Sequence, residues 1–196
     1  MKRGFTLIET VVALTVIIAA IVGPVALITR GIFNFFTAKN KLIAANLAQE
    51  GIELVRLLRD NNIICDKQKD GVLNNNPPWN QDPEGGIISK TTTYQLSADS
   101  TVSMSCGGAP PINTPKLSLF TGSPLKLDPA GLYNYASGIN TIFVRQLTIR
   151  NPLDTADNPD SDISSSDQMD IVSTVNWDER GIPKSVILRE RFYNWK

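Results

Sequence analysis

The sequence predicts an α+β protein in which one long N-terminal helix, half apolar and half amphipathic, packs against an antiparallel β-sheet meander. Residues 10–29 contain no charged side chain, and residues 38–60 place apolar side chains at helical spacing. The last third of the chain contains three runs with the alternating pattern of strands. A helix with an apolar stripe needs a cover, and the strands supply one.

The composition suits one small globular domain joined to an apolar anchor. The chain has 196 residues with 19 basic and 19 acidic side chains. Its net charge is therefore zero and does not favour binding to nucleic acid, so a nucleic-acid partner is possible but unsupported. Histidine is absent, and it is the commonest general base and metal ligand. No phosphate-binding loop or nucleophile motif occurs either. We therefore expect a protein that is not an enzyme and needs no cofactor or metal.

The first element is the apolar segment Thr10–Thr29, which has twenty residues and no charge. With a rise of about 1.5 Å per residue, a helix of this length crosses a hydrocarbon layer of roughly 30 Å. It satisfies its own backbone hydrogen bonds there. Gly23 and Pro24 predict a kink, because proline lacks the backbone donor and crowds the carbonyl group one turn earlier.

Glu9 is an acid at the start of this apolar helix. An ionised group at the centre of a membrane costs about 2.5 to 3.5 kcal/mol, and less near the interface, so we expect a partner. Cleavage after Gly4 would give Phe5 an α-amine that is largely protonated at neutral pH. That amine lies four residues from Glu9, and it could pair within one chain or between neighbours. A carboxylate that only reaches toward water is the alternative.

The string Arg3-Gly4-Phe5-Thr6-Leu7-Ile8-Glu9 closely resembles the processing site of type IV prepilins and type II secretion pseudopilins. The resemblance implies cleavage between Gly4 and Phe5 by prepilin peptidase, and N-methylation of the new amine at Phe5. It also implies that Glu9 pairs with the amine of an adjacent subunit as a helical filament of pilin subunits grows.

The same resemblance implies a location and an assembly route. Residues 1–4 would lie in the cytoplasm, and the chain beyond about residue 30 outside the inner membrane. The pilus assembly machinery would then move the subunit into an extracellular or periplasmic filament. In that family a glycine or proline at the place of Gly23 and Pro24 marks a segment that melts on assembly. An ordinary kink without a role in assembly remains the alternative.

Two functions follow from the resemblance. The first is a structural subunit of a type IV pilus or pseudopilus, and a minor subunit fits best because the β domain is rich in loops. The second is a tip subunit that binds DNA, a surface or secreted cargo. An exposed basic and aromatic patch with salt-dependent oligonucleotide binding would favour the second function. A membrane-tethered enzyme would need a pocket with perturbed carboxylates.

The chain divides into segments in order. The predicted segments are a cleaved leader at 1–4, a transmembrane and assembly helix at 5–29, an amphipathic helix at 30–62, a loop-rich region with short strands at 63–140 and an antiparallel meander at 141–196. Apolar side chains recur on one face of the amphipathic helix. Gly51 weakens that helix by about 1 kcal/mol relative to alanine. We expect it to end near Asn61 and Asn62.

Strands are predicted after a loop at 66–86, where Asn, Asp, Gly and Pro predominate. Residues 87–96 and 101–105 predict a hairpin, and the proline-rich residues 107–132 predict mostly irregular structure. The clearest strands are the three runs of the last third, at 141–150, 169–177 and 184–194. Residues 178–181 indicate a tight turn, which makes the last two strands an antiparallel pair.

Cys65 and Cys106 are the two cysteines. Outside the cytoplasm they could form a disulfide, which would stabilise the fold by roughly 3 to 4 kcal/mol. Unpaired thiols are the alternative, because sequence spacing does not give the distance between the two side chains.

The acidic connection before the strand at 169–177 is a candidate calcium-binding loop. Asn158, Asp160 and Asp162 match the first ligand positions of an EF-hand loop. However, Ile163 stands where the loop needs glycine, so the match fails. We expect a solvated acidic loop, and calcium binding by a different set of oxygen atoms stays open.

Overall fold

The computed structural model describes residues 4, 6–70, 79–80, 93–97, 101–106, 109–150 and 167–194. These residues form one long helix, α1, at Leu7–Asp70, followed by short and long strands. The strands are β1 Thr93–Gln95, β2 Thr101–Cys106, β3 Ala109–Pro115, β4 Ser118–Leu119, β5 Lys126–Leu127, β6 Tyr133–Asn134, β7 Ile139–Asn140, β8 Val144–Arg150, β9 Gln168–Glu179 and β10 Ile182–Tyr193.

Helix α1 begins with a capped first turn. The backbone N–H of Glu9 donates to Thr6 O at 3.1 Å and faces Thr6 Oγ1 at 3.4 Å, so Thr6 has the place of an N-cap. The helix passes through Pro24 and reaches Asp70, beyond the end expected near Asn61 and Asn62. Tertiary contacts explain this extension, because Asn62 Nδ2 donates to Trp79 O at 3.0 Å.

The chain divides into two compact units, residues 1–42 and 43–196. The first unit consists, in its described part, of the N-terminal portion of α1. Its large apolar side chains are exposed, from 41% for Phe33 to 82% for Leu7. The second unit contains the rest of α1 and the strands.

The second unit is built on a five-stranded sheet with the order β10-β9-β8-β1-β4. All four neighbouring pairs are antiparallel. Strands β8, β9 and β10 form the predicted meander, and the turn between β9 and β10 lies at Arg180 and Gly181. Both turn residues have positive φ, 59° and 76°, as a two-residue hairpin turn requires. The predicted fold class is therefore confirmed.

The predicted hairpin between residues 87–96 and 101–105 is wrong in its pairing. Strand β1 lies between β8 and β4, with Tyr94 opposite both Leu147 and Leu119. Strand β2 pairs instead with β3, which lies in the stretch 107–132 that was expected to be mostly irregular. Long-range packing decides this, because Leu96, just after β1, is 1% exposed in the core. Residues 87–92 lie outside the described residues.

The core forms where α1 covers one face of the sheet. Strand β9 places on its helix-facing side the four side chains that the alternating pattern predicted to share one face. All four are buried: Ile171, Ser173, Val175 and Trp177. The helix lies close to the sheet at Gly51. A Cβ atom there would lie 2.9 Å from Ser173 Oγ and 3.0 Å from Leu147 Cδ2. The glycine that weakens the helix locally is thus the residue that lets it reach the sheet.

Among its described residues, the second unit also contains two small sheets. Strands β2 and β3 form a hairpin, and β5 pairs with both β6 and β7 in a three-stranded sheet. Leu125, just before β5, packs with Ala44, Leu47 and Trp177. The three-stranded sheet therefore lies beside the first helical turns of the second unit.

Candidate functional site

The start of the chain carries the residues that sequence analysis selected. Gly4 is exposed, and a Cβ atom added there would meet nothing within 4 Å. The fold therefore does not require glycine at this position. Phe5 lies outside the described residues. Glu9 is exposed in the first turn of α1.

Glu9 has a local role that sequence reasoning missed. It follows the capping residue Thr6 by three positions, in the first turn of the helix. A carboxylate at a helix N-terminus faces the positive end of the helix dipole, which stabilises it by about 0.3 to 1 kcal/mol. The Thr-x-x-Glu spacing of a capping box was the signal that could have revealed this role. Glu9 is also the sole acid between residues 6 and 49.

The N-terminal part of α1 exposes large apolar side chains along its length. Its most apolar window has a mean hydropathy of 2.8, and none of that window is buried. By length and composition this helix could span a membrane. Exposed apolar area on this scale exceeds the patches that soluble proteins usually carry, and it requires a cover.

Gly23 and Pro24 lie inside the helix without ending it. A Cβ atom at Gly23 would meet nothing within 4 Å, so packing within the chain does not explain this glycine. The predicted kink and the predicted melting of this segment both stay predictions.

Arg145 is the main polar group at the junction of helix and sheet, and it is fully buried. Its Nη1 atom donates to Leu47 O at 3.0 Å, and its Nη2 atom donates to Leu96 O. Glu50 Oε2 lies 3.2 Å from Nη1. The guanidinium thus joins α1 to the sheet. The alternation of β8 could have revealed it, because Arg145 shares a face with Leu147 and Ile149.

Tyr135 supports the same junction from the other side. Its hydroxyl donates to Arg145 O at 2.8 Å. Burial raises the pKa of Tyr135, and the nearby guanidinium of Arg145 partly offsets that rise. This phenol therefore stays a neutral hydrogen-bond donor, which suits a structural role.

A second cluster brings arginines and an aromatic ring together, as a nucleic-acid surface would. The guanidinium groups of Arg56 and Arg59 lie 5.8 and 4.8 Å from the ring centre of Phe192. However, Phe192 is only 2% exposed, so it offers no face for a base to stack on. Arg56 is paired with Glu53 and Glu190, and the hydrogen bond to Glu190 raises its pKa. This cluster stabilises the fold.

Cys65 and Cys106 are joined in a disulfide. Both are buried, and Ile112 packs against them. The bond fastens the last turns of α1 to the hairpin of β2 and β3. Asn61 Nδ2 supports this connection with a hydrogen bond to Asn113 O at 3.3 Å.

In the described part of the chain, no group of three or more His, Cys, Asp or Glu side chains could hold a metal ion. The acidic residues that were considered as calcium ligands, among them Asp160 and Asp162, lie outside the described residues. Comparison with protein-family models, curated proteins and solved structures found no match for the chain. The long apolar helix followed by an antiparallel sheet is nevertheless a pilin-like layout.

Proposed function

We propose that this protein is a filament subunit of the prepilin type, processed after Gly4 and assembled through its N-terminal helix into a type IV pilus or secretion pseudopilus. The observation that supports this most strongly is the exposed apolar surface of α1, which is continuous with a helix that carries a folded β domain. Such a helix can be covered by lipid first and by the helices of neighbouring subunits later.

The charges at the start of the helix fit this proposal. Residues 10–29 are uncharged, so the carboxylate of Glu9 has no partner on that stretch of its own helix. A neighbouring subunit with a free amine at Phe5 would supply one, in a setting where an unpaired charge is costly. This pairing would set the position of each new subunit along the filament.

Replacing Gly4 with alanine tests the proposal. The variant should stay uncut in the inner membrane and be absent from filaments, since the resemblance places Gly4 directly before the cleaved bond. Mass spectrometry of native material should find wild-type chains that begin at a methylated Phe5. Gly31→Ala is the matched control, because Gly31 also has nothing within 4 Å of its Cβ position; it should be processed normally.

Two results would reject the proposal. One is wild-type protein that retains Met1. The other is an uncut Gly4→Ala variant that enters filaments as well as wild type does.

A further inference from the structure

The three-stranded sheet of β5, β6 and β7 carries an apolar surface that the core does not use. Leu127, Leu132 and Ile139 are 37%, 66% and 80% exposed, and Leu127 lies directly opposite Ile139 in the sheet register. Beside them is a groove of about 410 Å³, here named the β5–β7 groove. Its lining residues are Leu127, Asp128, Pro129, Gly138, Ile139 and Thr141.

The shape of the β5–β7 groove is fixed by backbone contacts. Thr141 donates to Leu125 O through both its backbone N–H, at 2.9 Å, and its hydroxyl, at 2.7 Å. Gly138 has a φ of +112°, and a Cβ atom there would collide with the backbone of Leu127. A preformed surface loses little conformational freedom on binding. The backbone that carries the exposed side chains is therefore held in one arrangement.

One wall of the groove is charged. The Asp128 carboxylate accepts a hydrogen bond from the backbone N–H of Leu132 at 2.8 Å, which holds it beside the exposed apolar side chains. The groove thus fits a partner that is apolar and carries positive charge near its apolar contacts.

The chain itself contains a segment with this chemistry. Residues 30–42 of α1 expose Phe35 at 65%, Phe36 at 49% and Leu42 at 64%. The charges of this segment are all positive, on Arg30, Lys39 and Lys41, and no acid occurs between residues 10 and 49. Residues 10–29 are more apolar but have no cation to pair with Asp128.

We propose that the β5–β7 groove binds residues 30–42 of α1 from a second copy of this chain. This inference rests on the proposed filament function and names the surfaces that meet. Each copy offers both a groove and a helix, so the contact is heterologous and repeats from subunit to subunit. A lipid surface is a poorer occupant, because it would bring the Asp128 carboxylate toward hydrocarbon without a cation.

Cysteine crosslinking of the assembled full-length protein tests the contact. We expect the double variant Ile139→Cys with Phe35→Cys to form a ladder of disulfide-linked multimers on oxidation, since each subunit links to two others. The control pairs Phe35→Cys with Leu119→Cys, because Leu119 is 67% exposed but lies on β4, at the far edge of the main sheet. It should give no ladder. Equal ladders, or none with Ile139→Cys, would overturn the proposal.

A charge placed beside the β5–β7 groove gives a second test. Leu132→Glu should lower the assembled fraction about tenfold, whereas Leu119→Glu should leave it unchanged, since the two leucines are 66% and 67% exposed. Neither should alter unfolding of the β domain. Normal assembly of Leu132→Glu would reject the groove and leave the filament function standing. Absence of wild-type chains from filaments would reject the filament function itself.

The lipid alternative has its own readout. A fluorophore on Ile139→Cys, in full-length protein within vesicles that contain a quencher in their acyl chains, should not be quenched. The reference is a label at Ile17, within the uncharged residues 10–29. Quenching at Ile139→Cys as strong as at this reference would place the β5–β7 groove in the membrane and overturn the proposal.

Discussion

At the scale of single residues, Gly51 shows how a local weakness can serve packing. In an exposed helix, replacement of glycine by alanine stabilises the helix by about 1 kcal/mol. At Gly51 the new methyl group would lie 2.9 Å from Ser173 Oγ and 3.2 Å from Arg145 Cδ. Overpacking of this kind costs about 1 to 3 kcal/mol, and the buried neighbours have little room to move. The steric term therefore outweighs the gain in helix propensity.

We expect Gly51→Ala to lower the free energy of unfolding of the β domain by about 1 to 2 kcal/mol. Urea unfolding in detergent, followed by near-ultraviolet circular dichroism, would measure it. Gly31→Ala is the control, since its Cβ position is open, and it should leave this transition unchanged. Removing the Ser173 hydroxyl with Ser173→Ala should relieve part of the loss. A stabilised Gly51→Ala variant would show that the helix can move away from the sheet.

Arg145 and the cysteines show which residue roles a sequence does not predict. The motif around Gly4 and Glu9 is contiguous, so it needs no fold to be recognised. Arg145 is buried because β8 alternates, but its carbonyl partners, Leu47 and Leu96, come from distant parts of the chain. Likewise, the spacing of Cys65 and Cys106 left both bonded and free thiols open, because only the fold sets their distance.

At the scale of elements, prediction succeeded where pairing is local. The meander of β8, β9 and β10 follows from alternation and from one turn signal. The pairing of β1 could not be predicted in this way, since its neighbours β4 and β8 begin at Ser118 and Val144. The predicted end of α1 was wrong for the same reason. Contacts with Trp79 and Cys106, which are distant in sequence, extend the helix beyond its own sequence signals.

The disulfide is an element-scale constraint, because it links the end of α1 to the hairpin of β2 and β3. Its sequence separation is 41 residues, and closing a loop of that size stabilises a fold by about 4 kcal/mol in the chain-entropy model. We expect the double variant Cys65→Ala with Cys106→Ala to lose about that much unfolding free energy in urea. A reductant should destabilise wild type to a similar extent and leave the double variant unchanged. Equal stability of oxidised and reduced wild type would contradict this prediction.

At the scale of the whole molecule, the two units differ in how far their apolar side chains are buried. The second unit, residues 43–196, has two clusters of buried apolar residues where α1 meets the sheet, and Arg145 donates there to Leu47 O and Leu96 O. The N-terminal part of α1 leaves its apolar side chains exposed, from Leu7 to Leu42. An exposed apolar helix of this kind favours contact with lipid or with other chains, which agrees with the proposed filament function.

Glu9 offers the sharpest test of how the proposed assembly is ordered. If its carboxylate only favours the helix N-terminus, its loss removes about 0.3 to 1 kcal/mol, and assembly should fall by less than about fivefold. If it pairs with the amine of a neighbouring Phe5, Glu9→Ala and Glu9→Gln should both remain inserted in the membrane yet nearly disappear from filaments. Glu9→Asp, which keeps the charge, should assemble better than either. Thr10→Ala is the control at the neighbouring position, since the Thr10 hydroxyl donates to Leu7 O of its own helix. Equal recovery of the Glu9→Gln variant and wild type in sheared filaments, measured against total membrane protein, would show that the charge pairs with no other subunit.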